Sequence, residues 1–228
     1  MKALILAAGK GSRMLPLTEH APKPLMVVHE KPILEWILLS LPTEIDELHI
    51  VVGYFGDQIK SYFGESFNDK KIFYYTQEMV SGTWPAMKLT EKSFEKDEKF
   101  LLMYADDMYD KESVREMMGF DNSLLISTVQ DPSRYGVVEL DDEGMVKSIV
   151  EKPKEPKSKI VATGVYVLNS SIFDYAYPTD VQGEQYFTNV YLEYIKNNKV
   201  FAVYVNHWVS IATPNDLEDA HKSELFML

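Results

Sequence analysis

Short apolar runs alternate with stretches of helical spacing over the first 130 residues, and this alternation limits the possible folds more than any other feature. The apolar runs, which are typical of buried strands, are residues 2–7, 48–53, 72–76, 100–104 and 124–129. The stretches with helical spacing are residues 32–41, 57–63, 85–94 and 111–118. Because strands joined by helices form right-handed crossovers, the pattern predicts an α/β fold whose mostly parallel sheet is covered by helices on both faces.

The pattern changes after Asp131. Strand-like runs at residues 135–140, 146–150 and 160–168 are joined by short turns and predict a small antiparallel addition to the sheet. Helical spacing returns at residues 185–196 and 214–221, where Pro214 suits a first helical turn. No repeat or linker interrupts the chain, so a single Rossmann-like domain with a mixed sheet is predicted over residues 1–228.

Charge and composition restrict the partners. A net charge of −12 argues against duplex nucleic acid and anionic membranes, since both favour clustered Lys and Arg. The absence of cysteine excludes disulfides and thiolate chemistry. The first apolar run is shorter than the roughly 7 residues of a signal peptide core, and no later run approaches the roughly 18 residues of a membrane span. A cytoplasmic protein is therefore predicted, and a homo-oligomer stays possible.

A cationic loop rich in glycine and proline follows the first apolar run, between Leu6 and Met26. It carries Lys10, Arg13 and Lys23 against the single acid Glu19, in an otherwise acidic chain. Its glycines let the backbone approach a ligand closely, so the loop predicts a site for an anion with several oxygens, such as a nucleoside triphosphate. The Walker pattern is absent, because a glycine separates the lysine from the serine, and prolines prevent the immediate helix of a dinucleotide fingerprint.

This loop resembles the signature of the sugar-phosphate nucleotidyltransferases, Leu-Ala-x-Gly-x-Gly-Thr-Arg-x-x-Pro-Leu-Thr followed by Pro-Lys-x-Leu. Only Ser12 departs from it, and it replaces one hydroxyl residue with another. The resemblance implies that the backbone cradles the triphosphate, that the arginine steadies the phosphates and that the lysine neutralises the reacting phosphate. By position, the residues implied for these roles are Ala8, Gly9, Gly11, Ser12, Arg13 and Lys23.

A second segment, Gln77 followed by Gly82 and Thr83, resembles the part of the family that recognises the nucleotide base. Trp84 departs from the family's usual alanine. An amide side chain and an exposed glycine backbone both offer the hydrogen bonds that a base edge needs. Without the phosphate loop upstream, a strand exit followed by a helix start would explain this segment equally well.

A magnesium site is implied after the apolar run at residues 100–104. Asp106 aligns with the family's metal-binding aspartate, at the carboxyl end of a strand where α/β sheets hold ligands. Asp107 is interpreted as a solvated neighbour. The family's second metal carboxylate falls on Ser210, whose hydroxyl is a poorer ligand for Mg²⁺. Metal binding is thus expected to depend on Asp106, substrate phosphates and water.

The second half of the chain resembles the family's sugar-binding half in the order and spacing of its motifs. The residues implied to hold the sugar hydroxyls and the sugar phosphate are Gly136, Glu151, Lys152, Thr163, Gly164 and Glu184. Taken alone, Glu151 and Lys152 would be interpreted as a salt-bridged loop. The resemblance therefore divides the chain into a nucleotide-binding half, about residues 1–130, and a sugar-phosphate-binding half, about residues 131–228.

The predicted reaction joins a nucleoside triphosphate to a sugar 1-phosphate, with Arg13, Lys23 and Asp106 as catalytic residues and Mg²⁺ as cofactor. Similarity of pattern favours UTP or dTTP with glucose 1-phosphate. Three alternatives stay open: guanylyl transfer to mannose 1-phosphate, a CTP-dependent transferase acting on a non-sugar phosphate, and a non-catalytic homologue that binds nucleotide sugars. An NAD-binding oxidoreductase is disfavoured by the prolines and the missing third glycine.

Overall fold

A computed structural model describes residues 1–179, 181 and 183–223. Its strands are β1 Lys2–Ala7, β2 Val27–Val28, β3 Lys31–Pro32, β4 Glu47–Val52, β5 Ser66–Phe67, β6 Lys70–Thr76, β7 Lys99–Tyr104, β8 Asp107–Tyr109, β9 Ser123–Thr128, β10 Gly136–Leu140, β11 Val146–Glu151, β12 Ile160–Asn169, β13 Phe201–Tyr204 and β14 Trp208–Ser210. Its α-helices are α1 Ile33–Ser40, α2 Gly56–Phe63, α3 Thr83–Lys88, α4 Lys111–Met117, α5 Phe187–Ile195 and α6 Pro214–Ala220. Short 3-10 helices lie at Ser12–Met14, Lys23–Leu25, Glu91–Ser93 and Ser170–Asp174.

The central sheet has the order β11-β10-β12-β7-β1-β4-β6-β5, and β9 pairs with both β12 and β13. Strands β7, β1, β4 and β6 are parallel neighbours, whereas β12 is antiparallel to β7, β9 and β10. Strands β5, β11 and β12 therefore run against the direction of the other strands of this sheet. The predicted α/β class with a mostly parallel mixed sheet is confirmed.

Helices cover both faces of the sheet, as the alternation of strands and helices predicts. In β1, Ala3 and Ile5 belong to the same buried cluster as residues of α1, α2, α4 and α6. The intervening residues, Leu4 and Leu6, belong to a second cluster with residues of α3 and α5. Successive side chains of a strand point to opposite faces, so a continuous apolar run such as β1 must be buried on both sides.

Two helices differ from the sequence prediction. The helix predicted over residues 85–94 begins at Thr83 and ends at Lys88, because Pro85 fits a first turn and Thr90 bonds the Met87 carbonyl through both its backbone N–H and its hydroxyl. The helix predicted from residue 185 begins at Phe187. The backbone of Gln185 is used elsewhere: its N–H donates to the Ser81 carbonyl and its carbonyl accepts from the Trp84 N–H.

The sequence prediction also missed strand β13. It pairs in parallel with β9 at the end of the sheet, and both Phe201 and Tyr204 are exposed, so it lacks the apolar signal of a buried strand. The pairing of β8 with β14 was missed as well, since each strand has three residues and about a hundred residues separate them.

The parallel strands β1, β4, β6 and β7 end at the same edge of the sheet, which positions the loops that follow them. The glycine and proline loop leaves β1, the segment around Gly82 follows β6, and Asp106 follows β7. In an open α/β sheet, ligands bind at this carboxyl edge. No helix within the described residues is long and apolar enough to cross a membrane.

Candidate active site

A cleft of about 720 Å³ lies at the carboxyl edge of the sheet, and both halves of the chain line it. Its volume is in the range of pockets for small-molecule ligands. Every residue that the sequence nominated for a nucleotide, sugar-phosphate or metal role lines this one cleft: Ala8, Gly9, Gly11, Ser12, Arg13, Lys23, Gln77, Gly82, Thr83, Asp106, Gly136, Glu151, Lys152, Thr163, Gly164, Glu184 and Ser210.

The first part of the glycine and proline loop, around Gly11, packs tightly against Lys23 near the end of the same loop. Gly11 has a left-handed backbone with φ 61°, and a Cβ there would lie 3.0 Å from the Cβ of Lys23. The Thr18 hydroxyl donates to the Gly11 carbonyl at 2.9 Å, and Met14 anchors the loop in the core. Gly11 is therefore needed for the fold of the loop, because any larger residue would be both strained and crowded.

Lys23 forms an ion pair with Asp106 in the cleft. The residue is only 7% exposed, and its Nζ lies 3.2 Å from Oδ2 of Asp106, whose side chain is 42% exposed. A lysine held this firmly is a fixed positive charge, which is suited to stabilising the negative charge of a phosphate. The pair joins the loop after β1 to the end of β7.

Asp107 is buried, which corrects its interpretation as a solvated neighbour. It is 7% exposed, and its carboxylate accepts hydrogen bonds from the Ile211 N–H and the Trp208 Nε1–H, both at 3.0 Å, and from the Ser210 hydroxyl at 3.3 Å. Burial, and then repulsion by Asp106, raises the pKa of Asp107 to about 7. The pairing of β8 with β14 causes this burial, because it places Asp107 opposite Ser210.

The segment nominated for base recognition is tied to the segment around Glu184. Gln77 Nε2 donates to the Gly82 carbonyl at 3.1 Å, so this amide also supports the local backbone. The Phe187 N–H donates to the Thr83 hydroxyl at 2.7 Å. Trp84, which departs from the family pattern, is buried and stacks between Phe173 and Phe187, so its large ring fills the core and not the cleft.

A charged cluster occupies the part of the cleft formed by the second half. Lys152 Nζ lies 3.3 Å from Oε1 of Glu151 and 4.3 Å from the ring centre of Tyr186. Burial opposes the charge of Lys152, but the attraction of Glu151 and Tyr186 outweighs it and raises the pKa of the lysine. The Tyr186 hydroxyl donates to Glu184 at 2.6 Å, and Thr188 donates to Glu151 at 3.0 Å. These contacts hold one ammonium and two carboxylates at fixed positions.

Two further nominated positions have clear structural roles. The Thr163 hydroxyl donates to the Leu125 carbonyl at 3.0 Å, and the Thr163 carbonyl accepts from the Tyr109 hydroxyl. Gly164 has φ 90°, and a Cβ there would lie 3.1 Å from the ring of Tyr104. This part of β12 therefore presents backbone, and not a free hydroxyl, to the cleft.

Comparison with known sequences decides the family. Residues 2–225 match the family described as "Nucleotidyl transferase". The chain belongs to this family.

Curated members of the nucleotidyl transferase family resemble the chain along almost its whole length. A UTP–glucose-1-phosphate uridylyltransferase of Haloferax volcanii is 32% identical and is covered over 96% of its own length. The bifunctional protein GlmU of Methanocaldococcus jannaschii is 34% identical over 97% of this chain. Only 54% of that relative is covered, so the chain spans about half the length of the GlmU relatives that it matches.

Solved structures support the same fold. A structure assigned to a glucose-1-phosphate thymidylyltransferase of Bacillus anthracis, in complex with sucrose, has a TM-score of 0.86 and 26% identity, and 97% of this chain and 94% of that chain are covered. A UDP-glucose pyrophosphorylase in complex with UDP-glucose has a TM-score of 0.81 at 21% identity, with 97% of each chain covered, and this likeness concerns the fold alone.

Several residues that line the cleft of this nucleotidyl transferase were not nominated from the sequence: Tyr104, Asp107, Arg134, Tyr135, Tyr186 and Thr188. Tyrosines at strand and helix positions are usually explained by core packing, so they carried no distinguishing signal. Asp107 had a weak signal, its position next to Asp106. Its burial depends on strand β14, which sequence spacing does not reveal.

Proposed function

We propose that the chain transfers a nucleotidyl group from a nucleoside triphosphate to a sugar 1-phosphate and releases pyrophosphate. The observation that carries the proposal is the cleft itself, in which the loop with Lys23 and the cluster with Lys152 occupy one cavity. Two separate fixed cations suit a reaction between two phosphate-bearing substrates. Residues 1–130 would bind the nucleotide, and residues 131–228 would bind the sugar phosphate.

The residues of the first half are proposed to bind the triphosphate. The backbone of Ala8, Gly9, Gly11 and Ser12 offers donors for phosphate oxygens, and Arg13 lies at the exposed side of the same loop. Lys23 is proposed to face the α-phosphate. Gln77, Gly82 and Thr83 are proposed to contact the base.

The residues of the second half are proposed to bind the sugar phosphate. Lys152 would hold the phosphate, while Glu151, Glu184 and the backbone at Gly136, Thr163 and Gly164 would face the sugar hydroxyls. A phosphate oxygen of the sugar 1-phosphate attacks the α-phosphorus, and the bond from this phosphorus to the pyrophosphate oxygen breaks. Because the nucleophile is already an anion, positioning and charge neutralisation suffice, and no general base is required.

A magnesium ion fits the oxygen donors at the end of β7. Asp106 offers a half-exposed carboxylate, and Ser210 a hydroxyl, in the same cleft. The carboxylate, completed by substrate phosphates and water, is the kind of hard oxygen ligand that Mg²⁺ prefers, and the hydroxyl is a weaker one. When bound, the ion would neutralise charge on the phosphates of the nucleotide.

Uridylyl transfer to glucose 1-phosphate is the preferred assignment, and thymidylyl transfer is the next. It is supported by the uridylyltransferase of Haloferax volcanii, which the chain matches over almost its whole length, and by the solved structure assigned to a thymidylyltransferase. Binding of a nucleotide sugar without turnover is the second candidate function. The specific observation in its favour is Ser210, which stands where the resemblance implies a carboxylate.

A screen of pyrophosphate release tests the function. The four common nucleoside triphosphates would be crossed with a panel of sugar 1-phosphates that includes glucose, N-acetylglucosamine and mannose 1-phosphate. The highest kcat/KM is expected with UTP and glucose 1-phosphate. Calorimetric titration measures the binding of the matching nucleotide sugars in parallel. Tight binding of a nucleotide sugar, with no pyrophosphate release from any pair of substrates, would favour the binding function over the transferase.

The substitution Gly9→Ala tests whether the triphosphate contacts this backbone without disturbing the fold. A Cβ at Gly9 would meet no protein atom within 4 Å, and the residue lies outside the left-handed region. Gly9→Ala should therefore leave the free energy of unfolding within about 0.5 kcal/mol, as surface substitutions usually do. If the triphosphate approaches this backbone, KM for the nucleotide should rise about tenfold, the effect of losing about 1.4 kcal/mol of binding.

Gly11→Ala provides the contrast, because its Cβ would contact Lys23 and its φ is left-handed. That variant should lose stability in urea unfolding, whereas Gly9→Ala should not. An unchanged nucleotide KM in a stable Gly9→Ala protein would show that the triphosphate does not lie against this glycine.

A further inference from the structure

Asp107 is a buried carboxylate that receives hydrogen bonds from neutral groups only. Its three hydrogen-bond donors, the Trp208 indole, the Ser210 hydroxyl and the Ile211 N–H, are all neutral. Among the described residues, the ion pair in this part of the cleft is Lys23 with Asp106, and Asp107 takes part in none. Lys23 attracts Asp107 as well, but it is paired with Asp106, so a single lysine faces two carboxylates. Because a buried carboxylate is costly unless its charge is balanced, this position favours a further positive ion.

The position of Asp107 is also suitable for metal binding. Asp107 and Ser210 are directly opposite in the antiparallel pair of β8 and β14, and both line the cleft together with Asp106. Side chains opposite each other in such a pair start from Cβ atoms about 5 Å apart, so a carboxylate on either strand reaches the same region. Oδ2 of Asp107 accepts a single hydrogen bond, which leaves it a lone pair for a cation.

We propose that Asp107 and Asp106 together hold the divalent cation of this cleft, so that Asp107 provides the carboxylate that is missing at Ser210. The proposal rests on the proposed nucleotidyl transfer for the identity of the ion as Mg²⁺. It changes the role of Ser210, whose hydroxyl then orients Asp107 through their hydrogen bond. The chain accordingly needs no aspartate at position 210.

Terbium luminescence tests the site without any substrate. Tb³⁺ binds hard oxygen ligands, and the Trp208 indole, which donates to Asp107, lies close enough to sensitise its emission. Titration of the whole chain with Tb³⁺ should give saturable emission on tryptophan excitation, and Mg²⁺ should compete with it. Trp208→Phe should remove most of the sensitised emission, although Trp36 and Trp84 stay in the chain.

Asp107→Asn should weaken Tb³⁺ binding by about tenfold or more, since the loss of even an outer-shell partner of a metal ligand typically costs about 10- to 100-fold in affinity. Asp110→Asn is the matched control. Asp110 is also buried, at 8% exposure, and accepts hydrogen bonds from Ser113 and His207, but it does not line the cleft, so Tb³⁺ affinity should be unchanged. In the Asp107→Asn background, Ser210→Asp should restore the affinity. Thermal unfolding checks that each variant is folded.

Ser210→Asp in the otherwise unchanged chain gives an answer even if Asp107→Asn does not fold. Since Asp107 already provides the charge, this variant should tighten Tb³⁺ binding by less than about threefold, far below the roughly tenfold or greater effect of a missing ligand. The proposal is overturned by a tenfold gain in this variant, by unchanged affinity in folded Asp107→Asn, or by the absence of saturable Tb³⁺ emission. These Tb³⁺ measurements need no turnover, so they test the metal site even if the screen finds no pyrophosphate release.

Discussion

Lys23→Ala is expected to lower kcat for pyrophosphate release by about 10²- to 10³-fold, the usual effect of removing one fixed group that stabilises transition-state charge. The lysine is almost completely buried and is held 3.2 Å from Asp106, so its ammonium is positioned before any substrate binds. Alanine removes this charge and keeps the Cβ that lies beneath Gly11. Asp106 is half-exposed, so water can solvate it after its partner is lost.

The free energy of unfolding should fall by about 0.5–3 kcal/mol, the usual range for a single substitution, because the buried stem of Lys23 is lost together with the ion pair. Steady-state kinetics with the preferred substrates and urea unfolding measure the two quantities. Lys2→Ala is the matched control, since Lys2 pairs with Glu98 at 2.9 Å and begins β1 at the opposite end from the cleft. It should leave kcat unchanged. If Lys23→Ala has the kcat of the unmodified chain, Lys23 has no catalytic role.

Gly82→Ala is expected to affect both stability and activity strongly. Gly82 has φ 122° and ψ 175°, a conformation that is almost confined to glycine, and a Cβ there would lie 2.3 Å from the Gln185 carbonyl oxygen. The strained backbone costs about 1–3 kcal/mol and overpacking adds about the same, so a loss of roughly 3 kcal/mol or more in the free energy of unfolding is expected.

The same methyl group would push apart two segments that line the cleft. Ser81 and Trp84 are hydrogen-bonded to the Gln185 backbone, so a shift there moves Thr83 and Glu184 together. A misplacement of about 1 Å can cost about 10²-fold in rate, and kcat/KM should fall by this order.

Gly144→Ala is the control for Gly82→Ala, because it introduces a strained backbone without a steric clash. Gly144 has φ 78°, but a Cβ there would meet no atom within 4 Å, and the residue lies in the turn between β10 and β11. Its alanine variant should lose only about 1–2 kcal/mol of stability, the cost of a left-handed residue, and should keep kcat/KM. Equal losses in the two variants would show that the contact between Gly82 and Gln185 has no special importance.

The strands and helices that the sequence predicted well are those with a strong local signal. Strand β1 is a continuous apolar run, and its prediction as Lys2–Ala7 agrees with the structure to the residue. Strand β13 has two exposed aromatic residues in four and gives no such signal. Helix α5 begins later than its spacing indicates, because Gln185 bonds to residues about a hundred positions away. Hydrogen bonds between residues so far apart in the chain cannot be detected from the local periodicity of apolar residues.

The sequence by itself determined the α/β class, the cationic loop after β1 and the residue types that suit a triphosphate and a metal. These depend on local properties: apolar periodicity, glycine and proline positions, and the charge of neighbouring residues. Only the tertiary structure decided that Lys23 pairs with Asp106, that Trp84 fills the core and that Asp107 is buried opposite Ser210. Each of these joins segments distant in sequence, and burial and charge balance arise only when the sheet brings such segments together.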